Sequence, residues 1–376
     1  MSAKGSGARG VNKRAVLVSS PNAGGAAHGG NLSERLGRVG VTVASNLGVS
    51  ELDRAQSLGK VWREQSYDLA IAAGGDGTVG AVASHLAGSG LPLAILPLGT
   101  ANDVARSLHL PMDIAEACAA VAGATPMDID VGEVVPGLTE PLAYSVAHGA
   151  IASADDPSPV AGVSFLHALT LGLNVEFARL ATDSLRRQRL GSLTYAASAL
   201  EAVTHYRPVD VTLHVYGFEG TGAAGVEDMA EEKIIHTRVV QVCVVNTPVF
   251  GGRMGVRLPD VSLHDRKLDF MVIEAIDAQQ LRHAVQQLLA ALSGAPDHSA
   301  GVAGVKQVYE APHLPGVWRF RARGAVIETT SAVDVTLDGE IRTHTPVVVR
   351  VAPESLRVLV PPQAKLLLTR DGQQES

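Results

Sequence analysis

The chain has 376 residues, 46% hydrophobic and 18% charged, with a formal net charge of −7. That length is ample for two cores, and one core of this size would be unusual. The acidic balance argues against a general nucleic-acid binder, whose phosphates reward Lys and Arg, and 4% aromatic residues give no platform for stacked bases.

Residues 1–13, rich in Gly and Ser with Lys and Arg, read as a disordered arm. No apolar h-region follows, so a signal peptide is not expected. No uninterrupted apolar stretch is long enough for a bilayer, so lipid contact should be peripheral. Cys118 and Cys243 lie far apart in apolar surroundings and read as two buried thiols of a reducing compartment.

Ala15–Val18 reads as the first strand and runs into the glycine-bearing turn Ser19–Gly25. A helix follows over Asn31–Val39, a strand over Val41–Val43 and a helix over Glu51–Gln65. The apolar run Tyr67–Ala73 reads as a buried strand. It enters Gly74-Gly75-Asp76-Gly77-Thr78, after which a helix is expected from Val79 to Ala87. Leu91–Pro97 is another buried strand, followed by the turn Leu98–Asp103 and helices over Val104–Ser107 and Pro111–Val121.

Continuous apolar strands alternating with helices indicate a mainly parallel, Rossmann-like sheet covered on both faces. Ligands of such sheets bind at the carboxyl ends of the strands. Glycines at a strand-to-helix turn let a ligand approach the backbone, and the N–H groups at a helix start suit an anion. Asp76 would repel a bare phosphate, so a nucleotide phosphate with Mg2+ is the reading that uses every residue. The bland alternative is a turn whose Asp caps its own helix.

After Asp130 the texture changes to Thr- and Val-rich pieces of period two: Val209–Tyr216, Arg238–Val245, Lys267–Ile273, Trp318–Arg323 and Val333–Leu337. They predict an antiparallel, β-rich, sandwich-like second domain with helices at Leu193–His205 and Ala278–Leu292. Thr139–Ala161, Glu219–Glu232 and Gly294–Gly304 read as loops, and Val347–Val351 and Leu356–Val360 as two strands. The expected domains are 14–130, joined by a C-terminal strand at about 353–362, and 131–352, with a nucleotide cleft between them and a polar tail over 369–376.

Four stretches resemble the diacylglycerol kinase catalytic family, which includes bacterial lipid kinases and sphingosine kinases. They are Gly74-Gly75-Asp76-Gly77-Thr78, Pro97-Leu98-Gly99-Thr100-Ala101-Asn102-Asp103, Val245-Asn246-Thr247-Pro248-Val249-Phe250-Gly251-Gly252, and Leu337-Asp338-Gly339-Glu340. The resemblance covers nearly the whole chain. It implies ATP and Mg2+ as cofactors and transfer of a phosphoryl group to a lipid hydroxyl, diacylglycerol or a related lipid. The protein would then be cytoplasmic, meeting the inner face of a membrane transiently. A homodimer is an open assembly state.

On that resemblance the nucleotide is held by Ser20, Pro21, Asn22, Ala23, Gly24, Asn46, Gly74, Gly75, Asp76, Gly77, Thr78, Val79, Gly80, Gly99, Thr100 and Asn102. Asn46 is expected just after the second strand. Mg2+ falls to Asp76, Asp103 and Asp130, with a structural Mg2+ at Asp265. The catalytic groups are Asp338, Glu340 and Asp76, the first two serving as base and orienter in an order the sequence leaves open. Bland readings stand beside these: a first-turn helix carboxylate for Asp103, a linker turn for Asp130 and an ordinary Asp-Gly hairpin for Asp338.

The chain departs from the family pattern at Ser20, Gly80, Ala81, His167 and Arg266. Ser20 and His167 stand where the family often has Asn. Arg266 replaces a Gly in the structural-metal loop, which penalises a positive φ. Three rivals therefore remain: a lipid- or nucleotide-binding member that has lost catalysis, a sphingoid-base kinase, and an NAD kinase-like enzyme.

Overall fold

The computed structural model describes residues 12–20, 32–52, 58–137, 162–173, 175, 207–221, 227–250, 256–258, 260–275 and 316–371. The chain divides into two compact units, Met1–Asp128 with Leu356–Ser376, and Ile129–Ser355.

In the first unit β1 (Lys13–Ser19), β2 (Val41–Gly48), β3 (Leu69–Gly74) and β4 (Leu93–Pro97) form a parallel sheet. The order is β4-β3-β1-β2, and the chain's last strand, Val347–Val360, adds Val358 in parallel beside Leu93. Every residue of β3 and β4 is buried, as continuous apolar strands covered on both faces require. The core joins Leu17, Ile71 and Leu96 to Leu36, Val121 and Leu359.

Several boundaries differ from expectation. The second strand runs on to Gly48, so Ser45 and Asn46 lie inside it. Of the expected helix Glu51–Gln65, the described residues are helical over Val49–Leu52 and Leu58–Glu64. The helix of the glycine motif starts at Asp76 and ends at Leu86.

The second unit is built from antiparallel strands: β5 (Thr125–Pro136), which begins in the first unit, β6 (Val163–Phe165), β7 (Ala168–Gly172), β8 (Val209–Thr221), β9 (Glu227–Val245), β10 (Val249–Phe250), β11 (Val256–Arg257), β12 (Leu268–Glu274), β13 (Val317–Ala322), β14 (Gly324–Thr329), β15 (Asp334–Leu337), β16 (Glu340–His344) and β17 (Val347–Val360). Along the main sheet the order is β16-β15-β7-β9-β12-β13-β8-β14-β17. Strand β8 pairs β14 up to Tyr216 and β13 from Glu219, bending at Gly217, whose φ of 64° suits glycine. Alternate residues point inward, and Leu169, Leu213, Val242 and Val244 pack around Phe270 and Phe320, whose rings stack at 4.9 Å. This is the β-rich sandwich the period-two pattern predicts.

The expected loop Glu219–Glu232 is corrected: it belongs largely to the β8–β9 hairpin. Its acidic residues read as loop by composition, but they are paired there, Asp228 with Lys233 and Glu231 with Arg323. The two expected strands at Val347–Val351 and Leu356–Val360 are one continuous strand. A helix, Pro362–Asp371, takes the first residues of the expected tail. Trp318 lies 40% exposed. The expected helices at Leu193–His205 and Ala278–Leu292, and the loops at Thr139–Ala161 and Gly294–Gly304, lie outside the described residues.

Candidate functional site

Strands β3 and β4 end side by side, Gly74 opposite Pro97, so their turns leave from the same edge of the sheet. The two turns touch. A Cβ added to Gly99 would lie 2.4 Å from the Gly75 Cα, so position 99 does not tolerate a side chain, and one at Gly75 would meet the Gly99 Cα at 3.2 Å. The Leu98 N–H donates to the Gly74 carbonyl at 2.9 Å. Asn102 clamps its own turn: its Oδ1 accepts the Gly99 N–H at 2.9 Å and its Nδ2 donates to the Gly99 carbonyl at 2.8 Å. That clamp holds Asn102 at φ 53°, a left-handed position that asparagine tolerates better than most residues.

Asp76 links the two turns. Its Oδ1 accepts the Val104 N–H at 2.9 Å, satisfying a donor at the start of the helix Asp103–Ser107. Among the described residues its other oxygen accepts no hydrogen bond. The cap of its own helix is Gly75, with no side-chain acceptor, so the first N–H groups there stay available to an anion. Thr78, Val79 and Gly80, expected as nucleotide contacts, follow in the first turns of that helix. They are buried within the helix, and the N–H groups of Thr78 and Val79 already donate to the Gly75 carbonyl.

Asp103 is buried as the first residue of its helix, Thr100 is exposed, and Gly77 is half-buried. Ser20 follows the end of β1 at the same sheet edge, since Ser19 pairs with Ala73 and Gly48. Pro21, Asn22, Ala23 and Gly24 lie outside the described residues. Asn46 is corrected to an exposed position inside β2, because the β1–β2 pairing continues two residues beyond it.

In the second unit Asp338 and Gly339 form the two-residue turn between β15 and β16, with φ of 50° and 85°. Positive φ at both central residues is the demand of a tight hairpin. The Asp338 carboxylate reaches a segment 170 residues earlier in the chain. Its Oδ1 accepts the N–H groups of His167 at 2.7 Å and Ala168 at 3.1 Å, and its Oδ2 accepts that of Leu166 at 3.0 Å. Glu340 is exposed and bonds Arg342 at 2.5 Å. Of the two carboxylates, Asp338 is occupied in holding backbone and Glu340 is the accessible one.

The motif Val245–Gly252 supplies a contact that sequence reading left unassigned. The Thr247 hydroxyl meets His167 Nδ1 at 2.5 Å, and the Asn246 N–H donates to the His167 carbonyl at 2.9 Å. The Asn246 Nδ2 donates to the carbonyls of Asp130 and Leu166, both at 3.0 Å.

Asp130, expected at the metal, is engaged by the backbone of its own unit. It is fully buried, and backbone N–H groups engage both oxygens: Glu354 on Oδ1 at 2.8 Å and Arg266 on Oδ2 at 2.7 Å. A cation there would have to displace those donors. Both donors are left-handed, with φ of 59° at Arg266 and 49° at Glu354. The loop thus keeps its positive φ although Arg stands there.

Asp265 is a better fit for a cation. Its Oδ1 accepts the Lys267 N–H at 3.1 Å, but its Oδ2 is buried with no hydrogen-bond partner and meets Arg321 only at 3.9 Å. Burial pushes its carboxyl up to about 6. Asp269, which sequence reading missed, is pushed up to about 8 by desolvation and then by the charge of Asp265. No group of three His, Cys, Asp or Glu among the described residues forms a ready metal cage.

Comparison with known proteins gives two domain matches. Residues 14–134 match the diacylglycerol kinase catalytic domain, and residues 168–360 match the YegS C-terminal NAD kinase beta sandwich-like domain. The diacylglycerol kinase of Bacillus subtilis is 27% identical over 228 residues, covering 60% of this chain and 61% of that protein. That of Staphylococcus saprophyticus is 32% identical over 133 residues, covering 33% of this chain and 42% of its own. The matches thus span less than two thirds of these curated relatives. A crystal structure of a diacylglycerol kinase from Bacillus anthracis superposes with a TM-score of 0.60 at 20% identity, covering 94% of this chain and 98% of that one. At that identity the likeness speaks for the fold.

Proposed function

The chain belongs to the diacylglycerol kinase and YegS lipid kinase family, and from that premise we propose that it is a lipid kinase dependent on ATP and Mg2+. It transfers the γ-phosphoryl group of ATP to a hydroxyl of diacylglycerol or a related lipid. The observation that carries the reading is the Asp76 carboxylate bonded to the Val104 N–H, with two glycine turns in contact beside it. Only a ligand that is anionic and brings its own cation uses both the amides and the acid.

Backbone N–H groups of the Gly75 and Gly99 turns hold the nucleotide phosphates. Asp76 offers its second oxygen to Mg2+, directly or through water, since Mg2+ keeps several of its waters. When bound, Mg2+ neutralises the phosphate charge that would otherwise repel the acceptor oxygen. Glu340 takes the proton of the acceptor hydroxyl as its oxygen bonds to the γ-phosphorus, while the bond to the β–γ bridging oxygen breaks and ADP leaves. Asp338 keeps the Leu166–Ala168 backbone in place for that step. Asp265, whose buried Oδ2 accepts no hydrogen bond, would hold a second, structural Mg2+.

No helix among the described residues is long and apolar enough to cross a membrane. Incubation with Mg-ATP and diacylglycerol in mixed micelles should yield a phosphorylated lipid. Nucleotide binding with no labelled lipid across a lipid-extract panel would overturn the reading.

A further inference from the structure

The hairpin that carries Glu340 is fixed at both ends. At the turn, the Asp338 N–H donates to the Ala168 carbonyl at 2.9 Å, and its carboxylate holds the backbone from Leu166 to Ala168. At the base, the buried Thr345 donates its N–H to the Val333 carbonyl at 2.9 Å, and its hydroxyl accepts the Val333 N–H at 2.9 Å. Between these anchors the register shifts. Leu337 faces Glu340 and Thr336 faces Ile341, but Val335 faces Thr343, so Arg342 is the extra residue of a β-bulge in β16.

A bulge takes its extra residue out of the ladder, bends the strand and re-aims a side chain. Here that side chain is Arg342. Its Nη2 donates to Glu340 Oε2 at 2.5 Å, a charge-assisted bond between two residues of one strand. The side chains are 38% and 54% exposed, so water screens the pair and it adds little to folding. Its effect is one of direction. A glutamate beside a hairpin turn has several rotamers open to it, and a fixed backbone does not by itself aim the carboxylate. The guanidinium does so by engaging Oε2, which sets where Oε1 points.

We propose that Arg342 is a positioning residue for phosphoryl transfer, gripping Glu340 through Oε2 so that Oε1 faces the acceptor hydroxyl of the lipid. The inference rests on the lipid kinase reading with Glu340 as the base. It gives the bulge a purpose, since the inserted residue is the one that steadies the base.

The experiment follows transfer from γ-labelled Mg-ATP to diacylglycerol in mixed micelles, using the full chain. It compares Arg342→Ala and Arg342→Lys, each alone and combined with Glu340→Gln. If Arg342 acts through Glu340, Arg342→Ala lowers kcat by about tenfold or more, on the scale of the hundredfold that a 1 Å misplacement can cost. The KM values for ATP and diacylglycerol and the thermal midpoint stay unchanged. Arg342→Lys, which keeps the charge and a donor, recovers part of the loss. In the Glu340→Gln background Arg342→Ala costs nothing further. Wild-type kcat in Arg342→Ala, or the same loss in both backgrounds, would overturn the inference and leave the kinase reading intact. So would a raised KM for diacylglycerol, which would mark a contact with the lipid, or a lowered thermal midpoint, which would mark structural support. Wild-type turnover in Glu340→Gln alone would remove the base, and this inference with it. A wild-type protein that labels no lipid would instead overturn the kinase reading itself.

Discussion

Asp130 holds Arg266 in a left-handed backbone conformation: its Oδ2 accepts the Arg266 N–H at 2.7 Å while φ there is 59°. The same carboxylate holds Glu354, also left-handed, through Oδ1 at 2.8 Å. One buried acid thus fixes two turns that L residues rarely adopt. Asp130→Asn would set an amide NH2 against one of the two N–H donors. A loss of about 1–3 kcal/mol is expected, the usual cost of a buried polar group left without its partner. Arg266→Gly removes a Cβ clash from the turn and should raise the urea midpoint. In the Asp130→Asn background its benefit should be larger. A double-mutant cycle by urea unfolding decides this, and equal effects in both backgrounds would show that the two residues are not coupled.

Asp76 has two tasks that substitution can separate. Its Oδ1 caps the helix Asp103–Ser107 through the Val104 N–H. Asp76→Asn keeps an oxygen for that bond but loses the charge. Asp76→Ala loses both. Mg-ATP should therefore stop raising the thermal midpoint in either variant. In the absence of nucleotide only Asp76→Ala should be destabilised, by about 0.5–2 kcal/mol as for other lost helix caps. A full Mg-ATP shift in Asp76→Asn would remove this residue from the metal site.

The hairpin carboxylates divide in the same manner. Glu340→Gln should lower kcat by roughly 10²–10⁴, the range for loss of a general base, with the unfolding midpoint unchanged. Asp338→Asn should lower stability by about 1–3 kcal/mol, because an amide cannot accept from all of Leu166, His167 and Ala168. Stability and turnover measured on both variants test the assignment. A stable, inactive Asp338→Asn together with an active Glu340→Gln would reverse it.

The parallel sheet was legible because β3 and β4 are buried from end to end. An uninterrupted apolar run has one explanation in a chain of alternating strands and helices. The start of β9 was not legible, since Met229 is 71% exposed and Ile234 58%, and that stretch carries no burial pattern to read. Asp76 was found as an acid beside phosphate turns, but its link to Val104, 28 residues on, depends on two separate turns meeting at Gly75 and Gly99. The three N–H donors of Asp338 come from Leu166 to Ala168, and no local pattern announces so distant a pairing.

The Oδ2 of Asp265, buried without a hydrogen-bond partner, predicts a response to Mg2+ in the absence of nucleotide. A cation that coordinates this oxygen binds the folded chain alone, so the midpoint should rise with concentration. Asp265→Asn should abolish that rise and leave the Mg-ATP shift at Asp76 in place. A rise of equal size in both proteins would locate the Mg2+ elsewhere.

Arg357 and Asp128 make a two-pronged pair, Nε to Oδ1 at 2.7 Å and Nη2 to Oδ2 at 2.9 Å. The hydrogen bonds from Arg357 hold the Asp128 carboxyl below the usual carboxylate range; burial opposes them, and the charges of Arg357 and Lys365 add to the lowering. A carboxyl lowered by folding contributes stability above its unfolded value, and that contribution disappears as pH falls through the folded one. The window therefore lies at and below about pH 4, the unperturbed range of Asp. Both side chains are 42% exposed, so water screens the pair and its worth stays below about 1 kcal/mol. Unfolding midpoints of the wild type and Asp128→Asn should differ at pH 6 and converge as the pH approaches 3. Raising the salt concentration at pH 6 should narrow the difference. A gap that persists at pH 3 would mean that Asp128 acts through packing and not through its charge.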